Sequence, residues 1–275
     1  CQNNWSDKKA DALIDEYKTK GISKDLALRT FSARLLGSDP ELVLHGGGNT
    51  SVKSIESDIL GNEIPVLHVK GSGWDLATIE PQGHPAVKLE PLLELKKLNR
   101  LSDEDMVSAQ RQNLLNPNSP NPSVETLLHA FLPDKYIDHT HSLAILAIAN
   151  QPNAIDLCRE IFGEKVAIVP YVMPGFELAI EASKKYEYSK NQLLKDQELE
   201  GMILINHGLF TFGKTAKESY FRMINLVNIA EKNLKRKINL TFENQTNFDN
   251  PTNIILPYLR GLISKKSTKF SDKIK

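Results

Sequence analysis

Asp138-His139-Thr140-His141 stands at the end of an apolar, strand-like run and is followed by an apolar helical run. Side chains at positions i and i+2 of a strand project from the same face, so both imidazoles are expected to point to one side. A third histidine with similar surroundings, His207, lies far downstream. Three neutral imidazoles with an open fourth position are the ligand set of a catalytic zinc site. We therefore predict that His139, His141 and His207 bind zinc or another divalent metal ion.

Metal binding has a simpler alternative. A single histidine beside an apolar strand is more often a core or surface residue than a ligand, and the spacing alone does not establish that the three rings meet. Four other histidines lack this pattern and are assigned to the core or the surface. They are His45, His68, His84 and His129.

The composition is that of an ordinary globular protein and excludes several classes. The 275 residues are 40% hydrophobic and 25% charged, and Lys plus Arg equals Asp plus Glu at 34 each. No bulk charge attracts nucleic acid or an acidic membrane surface, so neither is expected as a partner. No apolar run approaches the roughly 18–20 residues of a membrane helix, and the polar N-terminal segment lacks a signal-peptide core. Two cysteines make neither a disulfide framework nor a thiolate zinc site, so a cytoplasmic location is expected.

Strand-like and helical runs alternate along the chain, which predicts an α/β domain with helices on both faces of one sheet. The triple-glycine turn at 46–48 is expected to join a strand over 42–44 to a second strand. Such turns mostly connect strands, but they also let backbone N–H groups approach an anion. Ser123 is expected to cap a helix N-terminus. A later helix is predicted from Gly175 to Tyr186, followed by a polar excursion over 187–199.

The predicted domain organisation is simple. No composition shift requires a second folded domain, so we predict one domain over residues 1–240, including the N-terminal helices. Residues 241–275 are predicted to form a C-terminal extension. Because this segment is first Asn-rich and then Lys-rich, its last residues are expected to be disordered.

Five short motifs, each weak alone, follow one another along the chain. They are Gly46-Gly47-Gly48-Asn49-Thr50-Ser51, Lys70-Gly71-Ser72-Gly73, Pro122-Ser123-Val124-Glu125, His139-Thr140-His141 and Asn206-His207-Gly208-Leu209. As an ordered set they resemble the class II aldolase/adducin family. Within that family they are most similar to the aldolase half of bifunctional rhamnulose-phosphate aldolase/alcohol dehydrogenases. The resemblance implies a three-layer α/β/α sandwich around one mixed, largely antiparallel sheet.

The resemblance also implies a function. It points to a zinc-dependent aldolase that cleaves a ketose 1-phosphate, similar to rhamnulose 1-phosphate, to dihydroxyacetone phosphate and an aldehyde. The three histidines would bind the zinc, and Glu125 would be the acid/base at the carbon next to the carbonyl. Because relatives have active sites at subunit interfaces, a homo-oligomer, most simply a tetramer, is expected. The residues expected to hold the phosphate are Asn49, Ser72, Gly73 and Ser123.

Retro-aldol chemistry agrees with these roles. Cleavage leaves an enediolate, whose negative charge a zinc ion stabilises as a Lewis acid. Glu125 lies one predicted helix before the histidine strand, so its carboxylate is in a suitable place to handle the proton. Glycine turns and short hydroxyl and amide side chains suit a phosphate group.

Two departures from the family pattern keep other functions open. Val124 precedes Glu125, where phosphate-binding relatives often have a hydroxyl residue. This leaves open a related zinc lyase or epimerase on a different sugar or an unphosphorylated substrate. The tyrosine that family aldolases take from a neighbouring subunit has no clear counterpart, and Tyr171 is one candidate. A non-catalytic adducin-like binding domain is a further alternative, although binding alone does not need three histidines with Glu125.

Overall fold

The computed structural model describes residues 1–237, and residues 238–275 lie outside the described part of the chain. The predicted domain boundary at residue 240 and the predicted extension over 241–275, including its tail, therefore fall outside the described residues. They stay predictions.

The strands form one seven-stranded sheet. They are β1 (Asn49–Ser57), β2 (Glu63–Val69), β3 (Ala86–Lys88), β4 (Tyr136–Thr140), β5 (Val166–Val169), β6 (Gly201–Leu204) and β7 (Gly208–Gly213). Their spatial order is β3-β2-β1-β4-β7-β6-β5. Every neighbouring pair is antiparallel except β5 and β6, which are parallel. The predicted mixed, largely antiparallel sheet is confirmed.

Helices cover both faces of this sheet. They are α1 (Asp7–Lys18), α2 (Lys24–Gly37), α3 (Leu89–Glu94), α4 (Asp103–Gln112), α5 (Thr126–Phe131), α6 (Leu143–Ala149), α7 (Ala154–Phe162), α8 (Phe176–Gln192) and α9 (Ala216–Lys237). Buried side chains of α2, α6, α7 and α9 pack on one face, and those of α3, α4, α5 and α8 pack on the other. The predicted three-layer α/β/α fold is confirmed. Within residues 1–237, no helix is both long enough and apolar enough to cross a membrane.

Strand β4 lies between the two helix layers, and its side chains alternate between them. All five of its residues are buried, because helices cover both faces of the sheet here. Strand side chains alternate between faces, so Ile137 and His139 face the layer that contains α5, while Asp138 and Thr140 face the layer that contains α9. A central strand of this kind must supply hydrogen-bond partners for each polar side chain that it buries.

Two predictions of local structure are wrong, the strand over residues 42–44 and the helix N-cap at Ser123. Residues 42–44 form a turn and irregular backbone instead of a strand, and the N–H groups of Leu42 and Val43 donate to the Asp39 carbonyl. Leu42 and Val43 are buried in two core clusters, whereas Leu44 is 56% exposed. Helix α5 begins at Thr126, and Ser123 is not its N-cap. The Ser123 hydroxyl instead accepts the N–H of Glu125 at 3.3 Å in the turn before the helix.

Helix α8 is longer than predicted. It continues past Tyr186 to Gln192 into the segment predicted to be a polar excursion. The Tyr186 ring is buried against the core, and its hydroxyl donates to Asp134 at 2.6 Å. The polar residues that follow are compatible with an exposed helix, since Lys, Glu and Gln lose little rotamer freedom in a helix.

Candidate metal centre

Segments far apart in the sequence meet at one edge of the sheet. Strand β4 ends just before His141, and its pairing with β1 sets His139 opposite Asn49. Its pairing with β7 brings the turn between β6 and β7, which carries His207, to the same edge. The topology therefore places the three predicted ligands next to one another.

The three imidazoles converge. One ring nitrogen from each of His139, His141 and His207 lies within 4.8 Å of the others. The closest pair is His139 Nε2 and His141 Nε2, which are 3.0 Å apart. The ring centroids of His139 and His207 are 5.0 Å apart. This geometry excludes the alternative of three separate histidines, while the binding of a metal ion stays a prediction.

Burial favours the neutral form of His139 and His141. Burial lowers the pKa of His139 to about 3, and it also lowers the pKa of His141. His139 Nδ1 lies 3.1 Å from the Leu209 carbonyl, which can only accept a hydrogen bond. The proton of the neutral ring is therefore on Nδ1, and Nε2 offers its lone pair to the cluster.

Small residues and one left-handed residue make the cluster possible. A Cβ on Gly208 would lie 2.5 Å from the Thr140 carbonyl oxygen and 2.9 Å from His139 Cε1, so any side chain there would push the strands or the ring away. Asn206 has a φ of 58°, a conformation that asparagine adopts more readily than most residues. It turns the chain so that His207 follows directly before β7.

Glu125 completes the cluster. Its carboxylate is buried, with Oε1 3.2 Å from His207 Nε2 and Oε2 3.6 Å from His139 Nε2. The Asn49 side-chain amide donates to Oε2. Burial by itself would raise the pKa of Glu125, but the neighbouring His139 and His207 lower it overall, so the side chain is a carboxylate at neutral pH.

These residues fit a divalent metal ion. Three neutral imidazole nitrogens are a ligand set of catalytic zinc, and imidazole also suits other first-row metal ions. His207 Nδ1 is buried without a hydrogen-bond partner in the described part of the chain. The three ring nitrogens and the Glu125 carboxylate therefore lie close enough together to surround one ion.

The predicted phosphate-binding residues lie around the same edge, at different distances from the centre. Asn49 contacts Glu125 directly, and Ser123 contacts its backbone. Ser72 and Gly73 are exposed on the loop after β2. This loop is tied to the Glu125 segment because the Ser72 N–H donates to the Asn121 carbonyl at 2.7 Å. No contact joins Ser72 or Gly73 to the histidines among the described residues.

The sequence did not indicate the charged pair on the face of β4 that lies opposite His139. Arg29 and Asp138 form a fully buried ion pair on the opposite face of β4. Arg29 also donates to the carbonyls of Ser51 and Ile137 at 3.2 and 3.3 Å, and Asp138 accepts the Ser219 hydroxyl at 2.6 Å. The pair links α2, β1, β4 and α9 next to the histidines. An arginine within a predicted helix gave no signal for this role.

Two further side chains complete the surroundings. The Phe210 ring stacks on His139 with centroids 4.1 Å apart and planes 14° apart, which restricts the imidazole to one orientation. Lys70 is buried at the base of the loop that carries Ser72. The sequence marked it only as a cation beside a small-residue turn.

Residues 32–234 match the family described as "Class II Aldolase and Adducin N-terminal domain". The chain belongs to this family. The predicted family is therefore confirmed, while the finer relation to bifunctional rhamnulose-phosphate aldolase/alcohol dehydrogenases stays a prediction.

Two proteins share more than a third of their residues with this chain over the matched regions. The N-terminal class II aldolase domain of a conserved protein from Thermoplasma acidophilum is 41% identical, with a TM-score of 0.72 and coverage of 85% of this chain and 99% of that one. An uncharacterized oxidoreductase, YuxG, from Bacillus subtilis (strain 168) is 36% identical over 227 residues. The match covers 82% of this chain and 32% of YuxG, so the chain spans about a third of that relative.

A third match shows the fold alone. A sugar-phosphate aldolase from Thermotoga maritima is 18% identical, with a TM-score of 0.54 and coverage of 76% of this chain and 93% of that one. The shared architecture agrees with the sheet and layers described above.

Proposed function

We propose that the protein is a zinc-dependent class II aldolase that cleaves a ketose 1-phosphate, similar to rhamnulose 1-phosphate, to dihydroxyacetone phosphate and an aldehyde. The observation that carries this proposal is the convergence of three imidazoles with one carboxylate. Glu125 lies 3.2 Å from His207 and 3.6 Å from His139, close enough to act on a substrate held by the same centre. Membership of the class II aldolase and adducin family supports a lyase.

In this mechanism His139, His141 and His207 hold the ion. A bound zinc ion would supply Lewis-acid stabilisation of the negative charge that develops on the substrate oxygens as the carbon–carbon bond breaks. During cleavage the hydroxyl on the departing carbon loses its proton as the carbon–carbon bond breaks. Glu125, which starts as a carboxylate, takes up this proton and transfers it to the carbon next to the carbonyl. In the reverse direction it removes a proton from that carbon and returns it to the new hydroxyl. Asn49 restricts the carboxylate by donating its side-chain amide to Oε2. The buried setting limits water around these groups, which strengthens their electrostatic effect.

Metal content and turnover test this proposal together. The purified protein should contain about one zinc per chain, and it should release dihydroxyacetone phosphate from one or more members of a ketose 1-phosphate panel. Glu125→Gln preserves the shape but removes the proton acceptor, so the turnover should fall by about 10²-fold or more. Removing the metal with a chelator should abolish turnover, and adding zinc should restore it.

A matched control separates the role of Glu125 from a general effect of losing a carboxylate. Glu187→Gln makes the same change at an exposed site whose ion pair with Lys96 contributes little. It should leave turnover and zinc content unchanged. A folded protein that binds no metal, or a Glu125→Gln variant with full turnover, would reject the proposed aldolase.

One observation favours a second candidate. Val124, next to Glu125, is 56% exposed and offers no hydroxyl to a phosphate. A related zinc lyase or epimerase that acts on an unphosphorylated or carboxylated substrate would not need that hydroxyl. Turnover of an unphosphorylated sugar that inorganic phosphate does not inhibit would favour this candidate. A non-catalytic adducin-like domain would show neither turnover nor dependence on Glu125.

We also propose that the protein is a homo-oligomer, with a tetramer favoured. Large apolar side chains are exposed on loops around the histidine edge and at the start of α6, which suggests that another surface covers them. They are Leu44, Val124, Leu143, Tyr171 and Met173. Light scattering with size-exclusion chromatography tests the assembly, and a strict monomer at high concentration would contradict it.

A further inference from the structure

Three buried polar residues form a row across the central strands, on the face of the sheet opposite His139. Asp138 on β4 is paired with Thr50 on β1 and with Thr211 on β7, so the three side chains project from the same face. All three are fully buried. Buried polar groups at the centre of a sheet are costly unless each has a hydrogen-bond partner.

Both carboxylate oxygens of Asp138, at the centre of this polar row, are held by other segments. Oδ1 accepts from the Arg29 guanidinium on α2, and Oδ2 accepts from the Ser219 hydroxyl on α9 at 2.6 Å. The Thr211 hydroxyl in turn donates to the Ser219 carbonyl at 3.0 Å. Arg29 and Asp138 are both fully buried, so neither charge can exchange its partner for water.

Arg29 also binds the backbone of two strands at once. Its Nη1 donates to the carbonyls of Ser51 and Ile137, at 3.2 and 3.3 Å, and these two residues are paired between β1 and β4. Its Nη2 donates to Asp138 and to the Ser32 hydroxyl, the latter at 2.7 Å. The planar guanidinium thereby connects α2 to both strands, a geometry that a lysine ammonium does not reproduce.

The next position along each strand belongs to the candidate metal centre. Asn49 is paired with His139, and His139 with Phe210, so these three residues form a second row on the other face of the sheet. Asn49 donates to Glu125, and Phe210 stacks on the His139 ring. Because successive strand residues face opposite sides, a one-residue slip of β4 would bring Asp138 to the face where His139 now lies.

We infer that the Arg29–Asp138 pair positions the metal centre by fixing the register of β4 against β1 and β7. A slip of β4 would leave the Arg29 guanidinium buried without a carboxylate, which costs far more than the loss of an ordinary hydrogen bond. Both are positioning residues, since they act on the centre through the strands. The inference rests on the proposed function only for the metal ion at the three histidines, and it is independent of the substrate.

Two variants separate positioning from simple stabilisation. Arg29→Met/Asp138→Leu replaces both charges together by apolar side chains, a change that buried ion pairs often tolerate without loss of stability. The metal-free double variant should unfold at a urea concentration close to that of the unaltered chain. Its affinity for zinc, measured by competition with a metal-binding dye, should be at least about tenfold weaker. Arg29→Lys keeps the charge but not the contacts to both strands, so it should also fold and bind zinc more weakly.

The tautomer of His139 reports the same positioning without zinc. In the metal-free unaltered chain, NMR of the ring nitrogens should show the proton on Nδ1, which faces the Leu209 carbonyl at 3.1 Å. In the double variant the ring should lose this single tautomer, because the strand that carries it is no longer fixed. A pair that only stabilises the fold would leave the tautomer unchanged.

The matched control is Arg34→Met/Glu80→Leu, which removes an arginine–carboxylate pair that also begins on α2. Arg34 donates to the Ile79 carbonyl, outside the strands. This variant should keep both the zinc affinity and the His139 tautomer. Unchanged zinc affinity and tautomer in a folded Arg29→Met/Asp138→Leu variant would overturn the inference. If that variant unfolds, Arg29→Lys decides by the same two measurements, and unfolding of both would reject a positioning role.

These outcomes are separate from those for the proposed function. Weaker zinc binding in the variants, with no turnover of any ketose 1-phosphate by the unaltered chain, would support the inference and reject the aldolase. Turnover by the unaltered chain, with zinc affinity independent of the pair, would retain the aldolase and reject this inference alone. An unaltered chain that binds no zinc would reject the proposed function, and the His139 tautomer would then decide the inference.

Discussion

Gly208 determines how closely the segments that carry the three histidines approach one another. Its absent side chain leaves room for the Thr140 carbonyl and for the His139 ring, which a Cβ would meet at 2.5 and 2.9 Å. Both neighbours are fixed, one as backbone of β4 and the other by its bond to Leu209 and its stacking on Phe210. The clash cannot be relieved by a side-chain rotation alone.

We therefore expect Gly208→Ala to destabilise the fold by about 1–3 kcal/mol, the usual cost of overpacking. It should also weaken metal binding, because His139 must move. Urea unfolding and a competition titration with a metal-binding dye measure the two effects. Gly46→Ala is the control, since nothing lies within 4 Å of a Cβ added there, and its unfolding free energy should stay nearly unchanged. A stable Gly208→Ala variant with unchanged metal affinity would contradict this account.

Among the secondary-structure elements, α5 depends most on a distant residue. It has six residues, too few for a stable isolated helix, and Glu125 stands immediately before it. Lys53 on β1 binds carbonyls at its C-terminal end and just beyond. The lysine thus holds α5, which directly follows Glu125, against the sheet.

Lys53→Met should leave these buried carbonyls without their donor and destabilise the protein by at least about 2 kcal/mol. Lys135→Met is the matched control, because Lys135 is a partly exposed residue whose ion pair with Asp25 should contribute at most about 1 kcal/mol. Chemical denaturation of both variants measures the two losses of unfolding free energy. Similar losses in the two would show that α5 does not need the Lys53 contacts.

The elements also show which parts of the site the sequence could predict. The spacing of His139 and His141 predicted a shared face because strand alternation is a local property. Residue 207 was identified by local surroundings similar to those of the other two histidines and by its motif. Its approach to them depends on the pairing of β4 with β7. The burial of Arg29 and that of Lys70 depend on contacts between distant segments. No local pattern encodes those contacts.

For the fold as a whole, too, the sequence predicted local patterns but not the contacts between distant segments. Alternating helices and strands predicted the layers, but residues 42–44 form a turn and irregular backbone instead of the expected strand. Leu42 and Val43 pack into two core clusters, whereas Leu44 is 56% exposed. Hydrophobicity therefore indicated burial for two of the three residues and did not indicate their backbone conformation. Where apolar runs are short, burial by packing and burial within a strand give the same sequence pattern.

The buried histidines predict how the whole molecule responds to acid. Burial lowers the pKa of His129 and His139 to about 3, and it lowers those of His84 and His141 as well. In the unfolded chain each takes up a proton near pH 6.5, so between about pH 6.5 and 3 the unfolded state binds more protons. Stability must therefore fall as the pH falls through this window, by up to about 1.4 kcal/mol per pH unit for each fully buried histidine.

Urea unfolding of the metal-free protein between pH 7.5 and 4.5 measures this dependence. In His129→Gln the unfolding free energy should change less steeply with pH below pH 6.5, because one group that binds a proton only in the unfolded state has been removed. This holds even if the variant is less stable at every pH. His45→Gln changes an exposed histidine and should leave the slope as it is. An unfolding free energy that does not change with pH over this range would mean that the unfolded chain binds no more protons than the folded one. The imidazoles would then not be buried in neutral form, and the arrangement of the metal centre described here would be wrong.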